Sequence, residues 1–334
     1  MRNESLASRS RIASAKAAAT TARRAAARWL KTSRKRLSEL KFEEHKDVLE
    51  PLMRTIEQLG RLPEPSEFHL AKEVTQRFDS LKRAFAIIRR VTGEEAWRAI
   101  ATERRDDLLV YLALSRFRRR PRFGELPPSL QRDIRVFFGT YTKACIEADA
   151  ILFQAGESEA VDHACQQSGI GKLLPNALYV HKSALGSLTP LLRVYEGCAR
   201  AYLGELSDTN IIKIHRFSGK LSYLEYPDFE TTPHPVLARS YKLAMRTQYL
   251  DVYDYTSTSN PPVLHRKEAF LEPEHPLYSK FARLTQQEAR RGLLDDSQLI
   301  GTKDRWEARL REGGFVFRGH RLMRANPTYG ESEQ

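Results

Sequence analysis

The segment IIKIHRFSGKLSYLEY, residues 211–226, decides the fold class. Ile211, Ile212 and Ile214 form a short run of the β-branched residues that suit a pleated, half-buried surface. Phe217-Ser218-Gly219-Lys220 reads as a turn, and Leu221 to Tyr226 returns as a second strand. Downstream, 240–246 and 249–255 predict another strand pair. Residues 315–317 and 320–323 flank Arg318-Gly319 as a small hairpin. Helices fall between these pairs: one led by Pro190 that carries Leu192, Tyr195 and Ala199, one within 276–292, and one over 302–311.

Upstream of residue 169 the pattern is helical. A helix over about 43–60 ends near Gly60, and LPEPSEF (62–68) is a proline-broken loop. Val74, Phe78, Leu81, Phe85 and Ile88 repeat at helical spacing and define one buried face. Thr92 with Glu95 has the capping-box pattern for a helix to about Leu114. Pro127 and Pro128 precede a helix carrying Leu130, Ile134, Phe137, Phe138 and Tyr141, expected to run to about Phe153. A short helix covers about 157–167. The fold class is therefore α+β, with an all-helical N-terminal domain followed by a mixed domain of short antiparallel strand pairs. The expected divisions are a basic arm or linker helix over 1–41, the helical domain over 42–168, the α+β domain over 169–324, and a disordered tail over 325–334.

The chain has 334 residues, of which 41% are hydrophobic and 29% charged. That balance suits a globular protein, and no run reaches the roughly 20 apolar residues of a membrane helix. Cys145, Cys165 and Cys198 are widely spaced and form no CxxC pair, which fits a reducing cytoplasm. The net charge is +13, and residues 1–41 supply +10 of it through twelve Lys or Arg against Glu4 and Glu39. Such an arm attracts polyphosphate. An exposed Ala-rich linker helix is the structural alternative, and an organelle transit peptide a third.

The chemistry-bearing residues concentrate in three strings: GIGKLLPNALYVHKSAL (169–185), KIHRFSGKLSYLEYPDF (213–229) and TSNPPVLHRKEAF (258–270). Residues 169–270 hold nine of the thirteen tyrosines. Aromatic residues interleaved with cations suit a surface that holds phosphates and stacks on bases. The candidate contacts are Lys172, His181 and Lys182; His215, Arg216, Lys220, Tyr223 and Tyr226; and His265, Arg266 and Lys267. RFRRRPRF (116–123) adds Arg116, Arg118, Arg119, Arg120 and Arg122, whose mutual repulsion an anion would relieve. We expect His181, Lys182, His215, Arg216, His265, Arg266 and Lys267 to converge on one concave surface around the 223–226 strand. A tyrosine-rich core with a solvated basic rim is the competing reading.

Other chemistries are weaker. Gly169-Ile170-Gly171 lacks the preceding strand that a cofactor-binding glycine turn requires. Asn260-Pro261-Pro262 is followed by Val263 and Leu264 where an amino-methyltransferase motif needs an aromatic residue to face a flipped base. The histidines lack zinc-ligand spacing. Asp228 in YPDF invites a metal-dependent nuclease reading, but the acid and lysine required on the next strand are absent at 251–256.

Several strings also resemble the DNA phosphorothioation-associated methyltransferase family, in the region C-terminal to its methyltransferase domain. They are GKLLPNALYVHKSAL, RVYEGCARAYLGEL, YPDF with HPVLARS, NPPVLHRKE, and GTKDRWEARLREGGF with RGHRL. The resemblance extends through GRLPEPSEF, LLVYLALSRFRRRPRFGELPP and QRDIRVFFGTY, over roughly residues 40–324. It implies a bacterial DNA-modification setting. It also implies a cofactor-binding domain N-terminal to this region, and RNESLASRSR resembles the seam after that domain. The expectation is thus an accessory DNA-engaging module. It would bind no S-adenosylmethionine itself, the cofactor entering only through a separate methyltransferase-domain chain. A split or truncated DNA methyltransferase and a protein-interaction scaffold are the alternatives.

Overall fold

In the computed structural model, residues 35–296 and 300–325 are described. The arm expected over 1–41 lies mostly outside these residues, and the tail after Ala325 wholly so. The chain forms two compact units. The first comprises the described residues through Leu108 together with Leu126–Gly139; the second comprises Leu109–Glu125 and everything from Thr140 onward. The expected boundary at residue 168 is therefore displaced. The arginine string and the helices after Thr140 belong to the α+β unit, because their apolar faces pack there.

The first unit is helical. A helix over 35–44 leads into α1 (Lys46–Leu59), whose Val48, Leu49, Leu52 and Ile56 are buried. α1 stops at Gly60, which takes φ +68° and donates its N–H to the Ile56 carbonyl. The face read as one helix over 74–88 is broken into α2 (Ala71–Phe78) and α3 (Leu81–Thr92). Asp79 adopts a left-handed conformation at the break, and the Ser80 hydroxyl caps α3 by accepting from the Arg83 N–H. Thr92 does not cap the next helix. Its hydroxyl donates to Ile88 O and accepts from Trp97 Nε1. α4 (Glu95–Leu114) and α5 (Pro128–Phe138) follow. The predicted long helix to Phe153 ends at Gly139, and Thr140 restarts the chain by capping α6 (Tyr141–Gln154). Phe42, Phe68, Val74, Phe78, Leu81, Ile88 and Trp97 join the α1 residues in one core.

In the second unit, α7 (Ser158–Gln167) leads into a six-stranded antiparallel sheet in which spatial order equals chain order. Its strands are β1 (Lys172–Leu174), β2 (Ala177–His181), β3 (Ile211–His215), β4 (Lys220–Glu225), β5 (Arg239–Ala244) and β6 (Tyr249–Asp254). The two predicted pairs are present. β1 and β2 were not read from the sequence. α8 (Pro190–Leu203) crosses between β2 and β3, and α6 and α7 pack against it. Gly197 on α8 admits the Leu114 side chain so closely that any Cβ there would overlap it.

Alternation along the strands sends Leu178, Val180, Ile212, Ile214, Leu221, Tyr223 and Leu243 to one face. That face meets α8, where the Tyr223 hydroxyl donates to Glu196 Oε1 at 3.1 Å. On the other face a second core covers the end of the sheet near His181, with Ile211, Leu224, Tyr226, Phe229, Leu264, Phe270 and Phe281. α9 (Tyr278–Ala289) and a one-turn helix, Lys267–Phe270, supply its lid. α10 (Lys303–Gly313) and the hairpin β7 (Phe315–Phe317) with β8 (Leu322–Arg324) add a smaller core around Leu293, Leu294, Ile300 and Trp306.

Candidate nucleic-acid interface

The strand register lines up one row across the sheet. Lys172 pairs with Tyr179, Tyr179 with Lys213, Lys213 with Ser222, Ser222 with Lys242, and Lys242 with Asp251. All six side chains therefore share the face opposite α8. The Lys213 ammonium lies 5.1 Å from the Tyr179 ring centroid, that of Lys242 5.0 Å from Tyr253, and that of Lys172 5.7 Å from Phe270. His215 and Lys220 flank this row one step along their strands.

Electrostatics mark the row as crowded with positive charge. Burial, followed by Lys213, Lys242 and Lys220, pushes the His215 imidazole down to about 4. Its Nε2 lies 3.0 Å from the Ser222 hydroxyl. Burial and then the Arg266 charge also lower Lys172. Asp251 faces Lys242 at 3.9 Å, whereas Lys213 and Lys220 make no ion pair among the described residues. An anion laid along the row would relieve this repulsion.

Two of the predicted strings come together at one end of the sheet. A pocket of about 240 Å³ is lined by Phe117 of the arginine string and by His215, Arg216 and Gly219 of the β3–β4 hairpin. Arg216 is fixed there: its Nε donates to Asp162 Oδ1 at 2.5 Å, and its Nη1 to the carbonyls of Leu174 and Pro175. In the arginine string, Arg116, Arg118, Arg119 and Arg122 are exposed. Arg120 has a different task. Its guanidinium pairs with Asp149 at 2.5 Å and donates to Leu112 O, so it braces the loop.

The single concave surface expected around the 223–226 strand does not form. Lys182, whose Nζ donates to Ser207 O, follows the His181 end of β2; Arg216 follows the residue that pairs with Ala177 at the other end. Those ends are roughly 13 Å apart at about 3.3 Å per residue. Tyr223 faces the helix side and Tyr226 lies in the core, both 5% exposed, so neither can stack on an external base. His181 is buried against Phe229, with ring centroids 4.7 Å apart, and burial lowers it to about 4. Arg266 is exposed, in a left-handed conformation near the Lys172 edge of the row.

Lys267 and His265 belong to a buried polar cluster. Lys267 is 2% exposed, and its Nζ lies 2.6 Å from each of the carbonyl oxygens of Phe229 and Thr232 and 3.2 Å from His320 Nε2. Burial brings it down to about 7. His265 Nε2–H donates to Ile300 O at 2.7 Å, and burial, then His234, lowers the ring to about 3. Beside it, His234 Nε2 is 2.6 Å from Glu288 Oε1. Burial pushes Glu288 up to about 8 and His234 down to about 3, so the proton sits on the carboxyl and is donated to Nε2. These groups join the 229–234 loop, the Lys267 turn, α9 and the terminal hairpin, and they face the core rather than solvent.

Sequence reading missed Lys242, Tyr249 and Tyr253 on the open face, Tyr179 where that face meets the Phe270 core, and Tyr195 and Arg246 at the pocket. The signal was period-two alternation, which becomes informative only once neighbouring strands are in register. Among the described residues there is no cluster of three potential metal ligands, and no helix is long and apolar enough to cross a membrane. Comparison with known family models, curated proteins and solved structures returns no match.

Proposed function

We propose that this chain is a DNA-engaging module that acts beside the catalytic chains of a phosphorothioation-linked modification system. The observation that carries DNA engagement is the row Lys172–Tyr179–Lys213–Ser222–Lys242, with His215, Lys220 and Tyr253 around it. Lysines spaced across neighbouring strands match a run of phosphates, and the exposed Tyr249 and Tyr253 of β6 offer faces for bases. The exposed arginines at 116, 118, 119 and 122 extend the positive surface, and the basic N-terminal arm adds charge of the same sign. The modification system and a methyltransferase-domain partner rest on the resemblance of the sequence strings alone.

The test is anisotropy of labelled duplex and single-stranded DNA across a salt series. Each phosphate contact on duplex DNA contributes roughly 0.9 to the slope of log affinity against log salt. Lys213→Glu combined with Lys242→Glu should flatten the slope by about 0.9 per lost contact and weaken binding roughly tenfold or more. Lys242→Glu sets a second carboxylate opposite Asp251 and should lower the thermal midpoint modestly, so Lys213→Gln with Lys242→Gln, at partly solvated positions, is the variant whose midpoint should hold. An unchanged slope would remove the sheet face from the binding surface. No measurable binding by the unaltered chain would overturn the function.

A further inference from the structure

The pocket at the hairpin end of the sheet lies against α6, α7 and α8 and shares only His215 with the basic row, and it has an unused hydrogen-bonding group. Tyr195 lines it and is 3% exposed, and its phenolic oxygen is buried with no hydrogen-bond partner. A buried hydroxyl left unpaired is unfavourable by about 1–3 kcal/mol, and folded proteins rarely keep one without a reason. Burial holds this phenol well above its ordinary pKa, so it is an O–H donor at any physiological pH. The remaining walls are largely apolar: Leu152, Val161, Met245 and the Phe117 ring, which is 54% exposed at the rim. The exposed Arg246 adds positive charge to the lining, whereas that of Arg216 is met by Asp162.

Size and chemistry limit the occupant. A volume of about 240 Å³ falls below the roughly 300–1,000 Å³ of pockets for drug-sized ligands, so one small ring system fits. Apolar walls and an aromatic rim favour a flat, poorly solvated ring. The lone phenol requires an acceptor on that ring, and Arg246 favours a neighbouring negative charge. A nucleobase attached to a phosphate backbone meets all three conditions.

We propose that this pocket accepts one unstacked nucleobase from a strand lying along the basic row. Phe117 stacks on it, Tyr195 donates to a ring nitrogen or carbonyl, and Arg246 with the exposed arginines of the 116–122 loop holds the adjoining phosphates. The proposal rests on the DNA-engaging reading of the neighbouring face.

The full chain would be mixed with single-stranded DNA carrying one 2-aminopurine, and acrylamide quenching of that base measured. The free 2-aminopurine riboside serves as a separate probe. The expected result is several-fold protection of the base in the bound strand. Tyr195→Phe should weaken binding of the labelled strand by about three- to tenfold, the loss for one neutral hydrogen bond. Because that variant removes an orphan hydroxyl, its thermal midpoint should stay level or rise. Phe117→Ala, at an exposed position, should reduce protection without unfolding the chain. Strong DNA binding with a fully quenchable base would overturn the pocket assignment and leave DNA engagement standing. If the chain binds no DNA, the functional reading fails; riboside binding that is sensitive to Tyr195→Phe would then still support the pocket, and its absence would overturn it.

Discussion

Arg61→Met will destabilise the helical unit by about 3–5 kcal/mol, the range for breaking a buried ion pair from one side. The Arg61 side chain is 2% exposed and that of Asp133 is 0% exposed, with Nε and Oδ1 2.5 Å apart. The same guanidinium holds Glu67 through two bonds of 2.8 and 2.9 Å and donates to the Leu62 carbonyl. It therefore ties the end of α1 to the 65–67 turn and to α5 at once. The Arg61 hydrogen bond is the largest influence holding the Glu67 carboxyl down at about 2. Methionine keeps most of the apolar stem but strands the Asp133 carboxylate, with only Arg104 still 3.1 Å away. Arg61→Met with Asp133→Leu should cost much less than the two single changes summed, because no buried charge is left alone. Glu67 retains Arg132 in both variants. Urea unfolding of the four species gives the cycle directly. A single-variant loss below about 1 kcal/mol, the range of a surface pair, would show that solvent reaches this site.

Legibility differed along the chain for identifiable reasons. The β3–β4 hairpin announced itself because an isoleucine run met a Ser-Gly turn, and Gly219 indeed takes φ +59°. β1 spans only three residues, too short for a period to register. What defines it is Gly171, at φ +93°, where a Cβ would meet the Tyr179 carbonyl oxygen at 2.6 Å. That packing constraint is invisible before β2 is placed. The two helix breaks turn on Asp79 and Gly139, single residues inside otherwise continuous apolar faces. The candidate site was legible as residue vocabulary and illegible as geometry. Lys213 and Lys267 look equivalent in sequence. One joins a solvated row; the other is claimed by two backbone carbonyls and a histidine from 53 positions away. Tyr223 stands two strands from Tyr179 yet points through the opposite face, because the register offsets it by one residue.

Acidification from pH 6.5 will destabilise the sheet unit by several kcal/mol over about two pH units, well before the helical unit yields. Four histidines are held neutral in the sheet unit. Burial is the leading cause for each, taking His181, His215 and His320 to about 4 and His265 to about 3. The unfolded chain takes up these protons near pH 6.5, whereas the fold resists until about 4. Their stabilising contribution is therefore complete above 6.5 and is lost as the pH falls below it. Each extra proton bound by the unfolded chain removes about 1.4 kcal/mol per pH unit. His320 is only partly buried and contributes least, so the net loss over about two pH units is several kcal/mol, comparable with the lower part of a typical stability of roughly 5–15 kcal/mol. Burial also raises the Glu196 and Glu268 carboxyls, so the fold holds protons there that the unfolded chain releases above about 4.5, and this offsets part of the loss. Between 4.5 and 6.5 the His234–Glu288 pair carries one proton in either state, on Glu288 in the fold and on His234 in the unfolded chain. Lys267, at about 7 in the fold and higher when unfolded, is charged in both. The helical unit depends instead on Glu67, whose depressed pKa of about 2 sustains stability above 4.5 and gives it up only as the pH falls toward 2. Pulse-labelling hydrogen exchange resolved by segment separates the two. At pH 5 the amides of β3 and β4 should lose protection while those of α1 and α3 retain it. Equal protection of both units at pH 4.5 would mean that the buried imidazoles already carry protons in the native state.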